Sequence, residues 1–487
     1  MKLEELKSAD VFKYFAEICQ VPRPSKKEEK ISAYLQDFGK KHNLETKVDE
    51  AGNVLIKKPA TPGKENLKTV ILQSHMDMVC EKNNDVQHDF MNDPIQTEIE
   101  GDWMKAKGTT LGADNGIGCA TELAILADDK LEHGPIECLF TVDEETGLTG
   151  AFALKAGFIN GDILLNLDSE DEGEMFIGCA GGIDTIADFE YQEIDVPAGY
   201  YNFRVTVKGL KGGHSGGDIH LGRANANKIL NRFLTQMAAK YDLYLCEFNG
   251  GNLRNAIARE ATALCAVPEA NKHDVRADLN VFIAEIENEY AVVEPDFKME
   301  LETEEAGAKA IDRETAKNLM QAIHAVYHGV YAMSQDIPGL VETSTNLASV
   351  KMQADHKIHI ATSQRSSILS SRDDMAETVR SVFRLAGAAS VTSGEGYPGW
   401  KPNPHSEILE VAVASYKKLF NTDAKVKAIH AGLECGLFLD KYPHLDMISF
   451  GPTLTGVHSP DERMNIPTVE KFWLHLLDIL VNIPEKK

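Results

Sequence analysis

Thr69-Val-Ile-Leu-Gln-Ser-His75-Met-Asp77 is the stretch on which the fold turns. Its apolar run predicts a buried strand that stops abruptly at a histidine. In extended chain, residues two apart project to the same side. Asp77 can therefore reach the His75 ring and decide which nitrogen holds the proton, an arrangement common behind metal-bound histidines. A His-x-Asp tripeptide is weak by itself. It gains weight because three later stretches repeat the same order, an apolar run and then a polar donor.

Ile136-Glu-Cys-Leu-Phe-Thr-Val142 predicts one such strand and runs into Asp143-Glu144-Glu145-Thr-Gly147. Adjacent carboxylates repel, so a buried pair needs a cation or a proton; a solvated acidic turn is the plainer alternative. Asp162-Ile-Leu-Leu-Asn-Leu167 predicts another strand, ending in Asp168. Residues 446–450 predict a further one, followed by Gly451-Pro-Thr-Leu-Thr-Gly-Val-His458-Ser-Pro460. Thr110-Leu-Gly112-Ala-Asp114-Asn-Gly116 sets an acid between glycines, just before a helix predicted over 117–127. Glycine permits the backbone angles of a close approach, and an ordinary helix cap by Asp114 or Asn115 competes with that reading.

Outward from these strands, residues 10–20 predict an amphipathic helix capped by Ser8 and ended by Pro22 and Pro24, with a second helix from about Lys27. Ala51-Gly-Asn53 predicts a turn between two short strands, and residues 77–109 a polar loop or small excursion. Gly178-Cys-Ala-Gly-Gly182 breaks the pattern. From about residue 184 to 394, strands alternate with helices predicted over 224–241, 273–290, 314–328 and 373–386. That order implies an α+β insert, a sheet with helices on one face. The tail returns to α/β, closing in a helix over 468–483. The expected architecture is an α/β domain in two parts, residues 1–183 and 395–487, interrupted by an α+β insert, residues 184–394.

A chain of 487 residues is too long for one ordinary domain. Acids outnumber bases 75 to 50, a formal charge of −25, which argues against nucleic acid and anionic membrane as partners. The eight cysteines include no Cys-x-x-Cys pair and read as small buried hydrophobes. The Met1-Lys-Leu-Glu-Glu-Leu-Lys start lacks a signal-peptide core and no apolar run is long enough for a bilayer, so a cytoplasmic location is expected.

His75, Asp114, Glu145, Asp168 and His458 thus stand at comparable places, beyond strand ends or before a helix, where sites form in open α/β sheets. Two histidines and three carboxylates can hold two divalent ions if one carboxylate bridges. This N/O set suits zinc, with cobalt or manganese as alternatives. Glu144 is left over as a general base.

Ser74-His-Met-Asp-Met-Val79, Leu111-Gly-Ala-Asp-Asn-Gly116, Asp143-Glu-Glu-Thr-Gly147, Asn166-Leu-Asp168, Gly212-Gly-His-Ser-Gly-Gly217 and Val457-His-Ser-Pro460, in this order, resemble the M20 metallopeptidases, nearest their aminoacyl-histidine dipeptidase branch. The resemblance covers essentially the whole chain and implies a zinc-peptidase-like α/β catalytic domain, residues 1–183 and 395–487, with the α+β insert, residues 184–394, as its lid domain. It implies two divalent ions per chain: His75 and Asp168 on one, Glu145 and His458 on the other, Asp114 bridging. Glu144 and Asp77 would be the catalytic pair, Asp77 orienting His75 and Glu144 activating a metal-bridging hydroxide between ions about 3.5–4 Å apart. In the lid, His214 would meet the oxyanion or the substrate, and Asn255 and Arg365 would grip the terminal carboxylate of a dipeptide of Xaa-His type, β-alanyl-histidine included. The lid would complete the site within one chain or assemble a homodimer. His430 and Glu434 are further candidates for lining the pocket. His324 and His328, i,i+4 on the predicted helix, lack the glutamate of a His-Glu-x-x-His motif and read as packing or surface. His356 and His359 would face opposite sides of a strand. A broader M20 peptidase, a tripeptidase and an N-acyl amino acid amidohydrolase share the same metal core. A catalytically idle peptide binder would be marked by loss of Glu144 or a ligand, and all are intact.

Overall fold

A computed structural model describes residues 2–83, 85–305 and 307–486. The chain divides into two compact units. One comprises Met1–Cys179, Trp400–Ala428 and Leu433–Lys487; the other comprises Ala180–Gly399 and Ile429–Gly432.

The first unit is built on an eight-stranded sheet. Its central strands Ile136–Thr141, Val70–His75, Ile163–Asn166 and Asp446–Ser449 run parallel, so their carboxyl ends share one edge. The first three are buried at every position, as expected of parallel strands covered on both faces. The helix Ala113–Ala127 packs on the Val70–His75 strand and on the helix Ala9–Ile18. The helices Glu407–Phe420 and Ile466–Val481 pack on each other, and the former on Asp446–Ser449. Ser406 caps the former, its side chain accepting from Leu409 N–H. Ser8 takes the N-cap position of Ala9–Ile18, but its side chain caps nothing. The turn at residues 51–53 joins the antiparallel pair Glu45–Val48 and Val54–Lys58. The polar excursion after Asp77 contains a hairpin, Thr97–Glu100 and Trp103–Ala106, which pairs through Arg463–Asn465 with Leu454–Thr455.

The second unit is a nine-stranded sheet whose pairings are antiparallel, from Lys298–Thr303 at one end to Ser390–Ser393 at the other. Tyr201, Phe203, Val205 and Val207 alternate into one core with Leu230, Phe233, Phe282, Leu319, Ile323 and Phe383. These come from the helices Ala226–Lys240, Lys272–Tyr290, Arg313–Ala325 and Leu369–Leu385. The period of two on the strand and the apolar stripes of the helices thus produce a one-sided α+β layer.

Three local expectations are corrected. Residues 178–182 are extended rather than irregular, lying in the strands Glu174–Cys179 and Gly181–Glu190 on either side of Ala180, where the two units divide. A side chain at Gly181 would come within 2.4 Å of the backbone at Tyr397 and Gly399, so the glycine reflects close approach rather than a turn. The helix predicted to 328 ends at Ala325, so His324 and His328 are not on one helical face; His328 Nδ1 accepts from Leu347 N–H (3.3 Å). His356 sits in a turn at φ 56°, and only His359 lies in the strand, 2.8 Å from Asp188. All eight cysteines are free, and all but Cys80 are buried. Among the described residues, no helix is long and apolar enough to cross a membrane.

Candidate functional site

The parallel strands deliver their polar residues to one edge of the first unit. His75 is the last residue of its strand. Its Nε2 lies 3.1 Å from Asp114 Oδ1 and 3.3 Å from Asp168 Oδ1. His458 Nε2 lies 3.1 Å from Asp114 Oδ2 and 2.9 Å from Glu145 Oε2. The two oxygens of Asp114 therefore face two different imidazoles. Asp114 itself departs from helical backbone angles at the start of Ala113–Ala127, and the Asp114–Asn115 peptide bond is cis.

Asp77 does more than the spacing suggested. Its Oδ1 is 3.2 Å from His75 Nδ1. It also accepts from Ser25 Oγ (2.7 Å), Glu144 N–H (3.1 Å) and Glu145 N–H (3.4 Å). One buried carboxylate thus holds the His75 ring and the first turn of Glu144–Gly147. Asp143, in the left-handed region at φ 50°, closes that turn by accepting from the Thr146 and Thr149 hydroxyls. Glu28, Asp77 and Asp143 also lie close enough to share an ion. Their carboxylates already receive backbone and hydroxyl donors, Glu28 from Lys26 and Asp143 N–H, so nothing there asks for a cation.

The five-residue group is different. Glu145 Oε1 is buried without a hydrogen-bond donor, and Asp168 Oδ1 has only the His75 ring nitrogen beside it at 3.3 Å, a costly state for carboxylate oxygens. Burial and nearby carboxylates push the Asp168 carboxyl up to about 7 against the pull of His75. Burial likewise raises Glu144 well above the usual carboxylate range, with Asp168, Glu434 and Glu145 adding to it and His75 opposing. Hydrogen bonds to Asp114 and Glu145 carry His458 up to about 11. Burial disfavours charge on His75, but Asp168, Asp114 and Asp77 together lift its pKa well above normal. Burial would raise Asp114, yet the two imidazoles hold it below the ordinary range. Without cations the cluster must borrow protons. Two imidazoles and three carboxylates, with under-satisfied buried oxygens on Glu145 and Asp168, fit divalent ions in number, chemistry and charge. Glu434, 1% exposed, stands behind them; its Oε2 accepts from Gln73 (2.6 Å) and Thr141 (2.9 Å), and burial raises its carboxyl to about 8.

In the second unit, His214 Nδ1 accepts from Gly217 N–H (3.0 Å) and Gly216 N–H (3.3 Å). That leaves the neutral ring with its proton on Nε2. Burial and the nearby Arg365 keep the ring neutral by lowering its pKa. Arg365 is buried in the strand Lys357–Ser366, with Nε donating to Ser215 Oγ (3.3 Å) and Nη1 to Tyr397 Oη (3.0 Å). Asn255 is exposed, and its carbonyl accepts from Ser215 N–H (2.8 Å). His430 lies in the same unit, 2.7 Å from Ser344 Oγ. The structure thus gathers His75, Asp114, Glu145, Asp168 and His458 in one unit, and His214 and Arg365 around Ser215 in the other. Sequence reasoning missed Tyr397 and Ser215. Ser215 adjoins His214 in a quoted motif, whereas nothing local marks Tyr397.

The model of peptidase family M20/M25/M40 matches residues 71–481. The cytosol non-specific dipeptidase of Escherichia coli (strain K12) is 46% identical over 486 residues, covering 100% of both chains. The crystal structure of the aminoacylhistidine dipeptidase from Vibrio alginolyticus superposes with a TM-score of 0.93 at 45% identity, covering 100% of this chain and 99% of that one. The aminopeptidase PepT from Bacillus cereus ATCC 10987 shares the fold at a TM-score of 0.57 and 16% identity, covering 98% and 99%. Full-length identity of this order, on a match that spans every strand-end ligand candidate, makes the chain a member of peptidase family M20/M25/M40 and a hydrolase of peptide bonds.

Proposed function

We propose that this peptidase is a two-metal dipeptidase that cleaves Xaa-His dipeptides, β-alanyl-histidine among them. The observation that carries the reading is Asp114, with one oxygen toward each imidazole, beside the buried Glu145 Oε1, which has no donor. His75 and Asp168 would hold one divalent ion, Glu145 and His458 the other, and Asp114 both; zinc suits the donors, with cobalt or manganese as alternatives. When bound, the ions supply a water of lowered pKa and a polarised peptide carbonyl.

The chain's own residues do the rest. Glu144, raised in proton affinity by burial and by its carboxylate neighbours, takes the proton of the attacking water and returns it to the leaving amine nitrogen. Asp77 keeps the His75 ring oriented and anchors the backbone that carries Glu144. His214 offers Nε2–H to the developing oxyanion, because its Nδ1 is occupied by two amides. Arg365 and Asn255 grip the substrate's terminal carboxylate; the planar guanidinium matches both oxygens. The two relatives are named for different breadths, one non-specific and one for aminoacyl-histidine, so a broader dipeptidase is the alternative. The word cytosol in the name of the first supports a cytoplasmic enzyme.

A substrate panel with metal content measured alongside tests this: β-alanyl-histidine, Ala-His, Ala-Ala, a tripeptide and an N-acetyl amino acid. The expected order puts the two histidine dipeptides first and the last two near zero. Chelation is expected to abolish turnover and zinc to restore it. Equal kcat/KM on Ala-Ala supports the broader dipeptidase, rapid cleavage of the N-acetyl compound makes it an amidohydrolase, and full turnover after metal stripping rejects the metal site.

A further inference from the structure

Glu462 lies four residues beyond His458 and is 2% exposed. Its carboxylate collects four consecutive backbone N–H groups. Oε2 accepts from Leu111 (2.7 Å) and Gly112 (2.9 Å), and Oε1 from Ala113 (2.8 Å) and Asp114 (3.3 Å). An ordinary helix cap needs one small side chain for one or two amides. Here both oxygens of a buried carboxylate are spent on the single turn whose aspartate stands between two imidazoles.

Arg23, also 2% exposed, grips the same turn through its carbonyl side. Its Nη2 donates to Gly112 O, and its Nη1 to Asp77 O (2.7 Å) and Met76 O (3.3 Å). A side chain at Gly112 would come within 2.5 Å of Arg23 Nη2, and one at Gly116 within 2.6 Å. The two glycines that flank Asp114 are therefore small because a guanidinium fills the space beside them. Arg23 thereby ties the Asp114 turn to the residues just after His75, while Glu462 ties it to the loop that bears His458. The three segments that bring His75, Asp114 and His458 together are held by one buried cation and one buried anion, acting on backbone rather than on side chains.

We propose that Glu462, opposed by Arg23, is the positioning residue that sets where the Asp114 carboxylate stands between His75 and His458. Neither side chain touches the reacting atoms. Their effect is on the spacing of the ligands, and outer partners of that kind typically change metal affinity by about 10- to 100-fold. The proposal rests on the two-metal reading of the site.

The test uses the full chain and the isosteric Glu462→Gln, whose amide must turn one N–H toward backbone donors, with Arg23→Lys as the second variant. Apo-protein is titrated with Zn²⁺ against a competing chelator. Co²⁺-loaded protein is followed by its absorption spectrum, and apo-protein by thermal unfolding. For Glu462→Gln the expected result is metal affinity lowered about 10-fold or more, a changed Co²⁺ spectrum, kcat reduced with KM near that of wild type, and an apo Tm close to wild type. Arg23→Lys is expected to move the same way by less. Wild-type affinity and spectrum in both variants overturn the proposal. So does a fall in apo Tm that accounts for the loss of metal, or failure of both to fold, since the clamp would then serve the fold and not the ligands. If wild-type protein binds no ion pair, the two-metal reading fails first, and the titration of wild type shows it.

Discussion

The parallel sheet of the first unit and the antiparallel sheet of the second handle polar residues in opposite ways. In the first, the central strands are buried and mostly apolar, and the candidate site residues stand at or beyond their carboxyl ends: His75, Glu144, Glu145, Asp168 and His458. In the second, polar residues sit inside the strands. Val341–Gln353 buries Thr343, Ser344, Thr345 and Asn346 in succession, and Arg365 lies within the neighbouring Lys357–Ser366. They bond sideways: Thr343 with Ser366, Ser344 with His430, Thr345 Oγ1 accepting from Gln364, Asn346 Nδ2 donating to Ala256 O and Arg365 to Ser215 and Tyr397, while Asn346 Oδ1 finds no partner. A strand end lets donors converge on a cation, whereas a strand interior fixes a donor's direction through its neighbours. The first arrangement suits reaction and the second recognition.

The sharpest way to separate them is Glu144→Gln. Loss of the proton carrier is expected to cut kcat by about 10²- to 10⁴-fold while metal content and KM stay near wild type. Activity within a few-fold of wild type would remove Glu144 from the reaction. Next in size is Arg365→Lys. Trading a planar fork for a point charge gives up one charge-assisted hydrogen bond, worth about 1.5–3 kcal/mol, and is expected to raise KM by about 10- to 100-fold with both ions retained. Metal loss in this variant would mean that the two regions are not chemically distinct.

The smallest effect is on stability against pH in metal-free protein, and its sign differs between two buried groups, one in each unit. Glu434 has a raised pKa of about 8, so its contribution is complete below about 4.5 and is lost as pH rises through 8. His328 has a pKa lowered by burial to about 4, so its contribution is complete above about 6.5 and is lost as pH falls through 4. Each group alters the slope by at most one proton, about 1.4 kcal/mol per pH unit. Hydrogen exchange followed segment by segment is expected to show the strands around Glu434 loosening toward alkali and the segment around His328 toward acid. Glu434→Gln should flatten only the first trend and His328→Gln only the second; the same trend around both groups would contradict the assignment.

Much of this molecule was written locally. The strands ending at His75, before Asp143 and before Asp168 follow from short apolar runs, because a strand buried on both faces is made mostly of apolar residues. The α/β class and the alternation of the insert follow from the change of period. The strand Val341–Gln353 was not legible: its residues look like a polar loop until the hydrogen bonds that satisfy them are known. The strands through residues 178–182 were missed because glycine reads locally as a turn, and only the backbone at Tyr397 and Gly399 shows why no side chain fits at Gly181. The sequence alone determined which polar residues stand at the ends of the buried strands and on which side they emerge, since both depend on neighbours a few positions away. The tertiary structure decided that Asp114 faces two imidazoles, that Asp77 also holds the amides of Glu144 and Glu145, and that Glu462 reaches back some 350 residues to cap Leu111–Asp114. Such contacts close over long loops, and no local pattern records which distant donor a buried carboxylate will find.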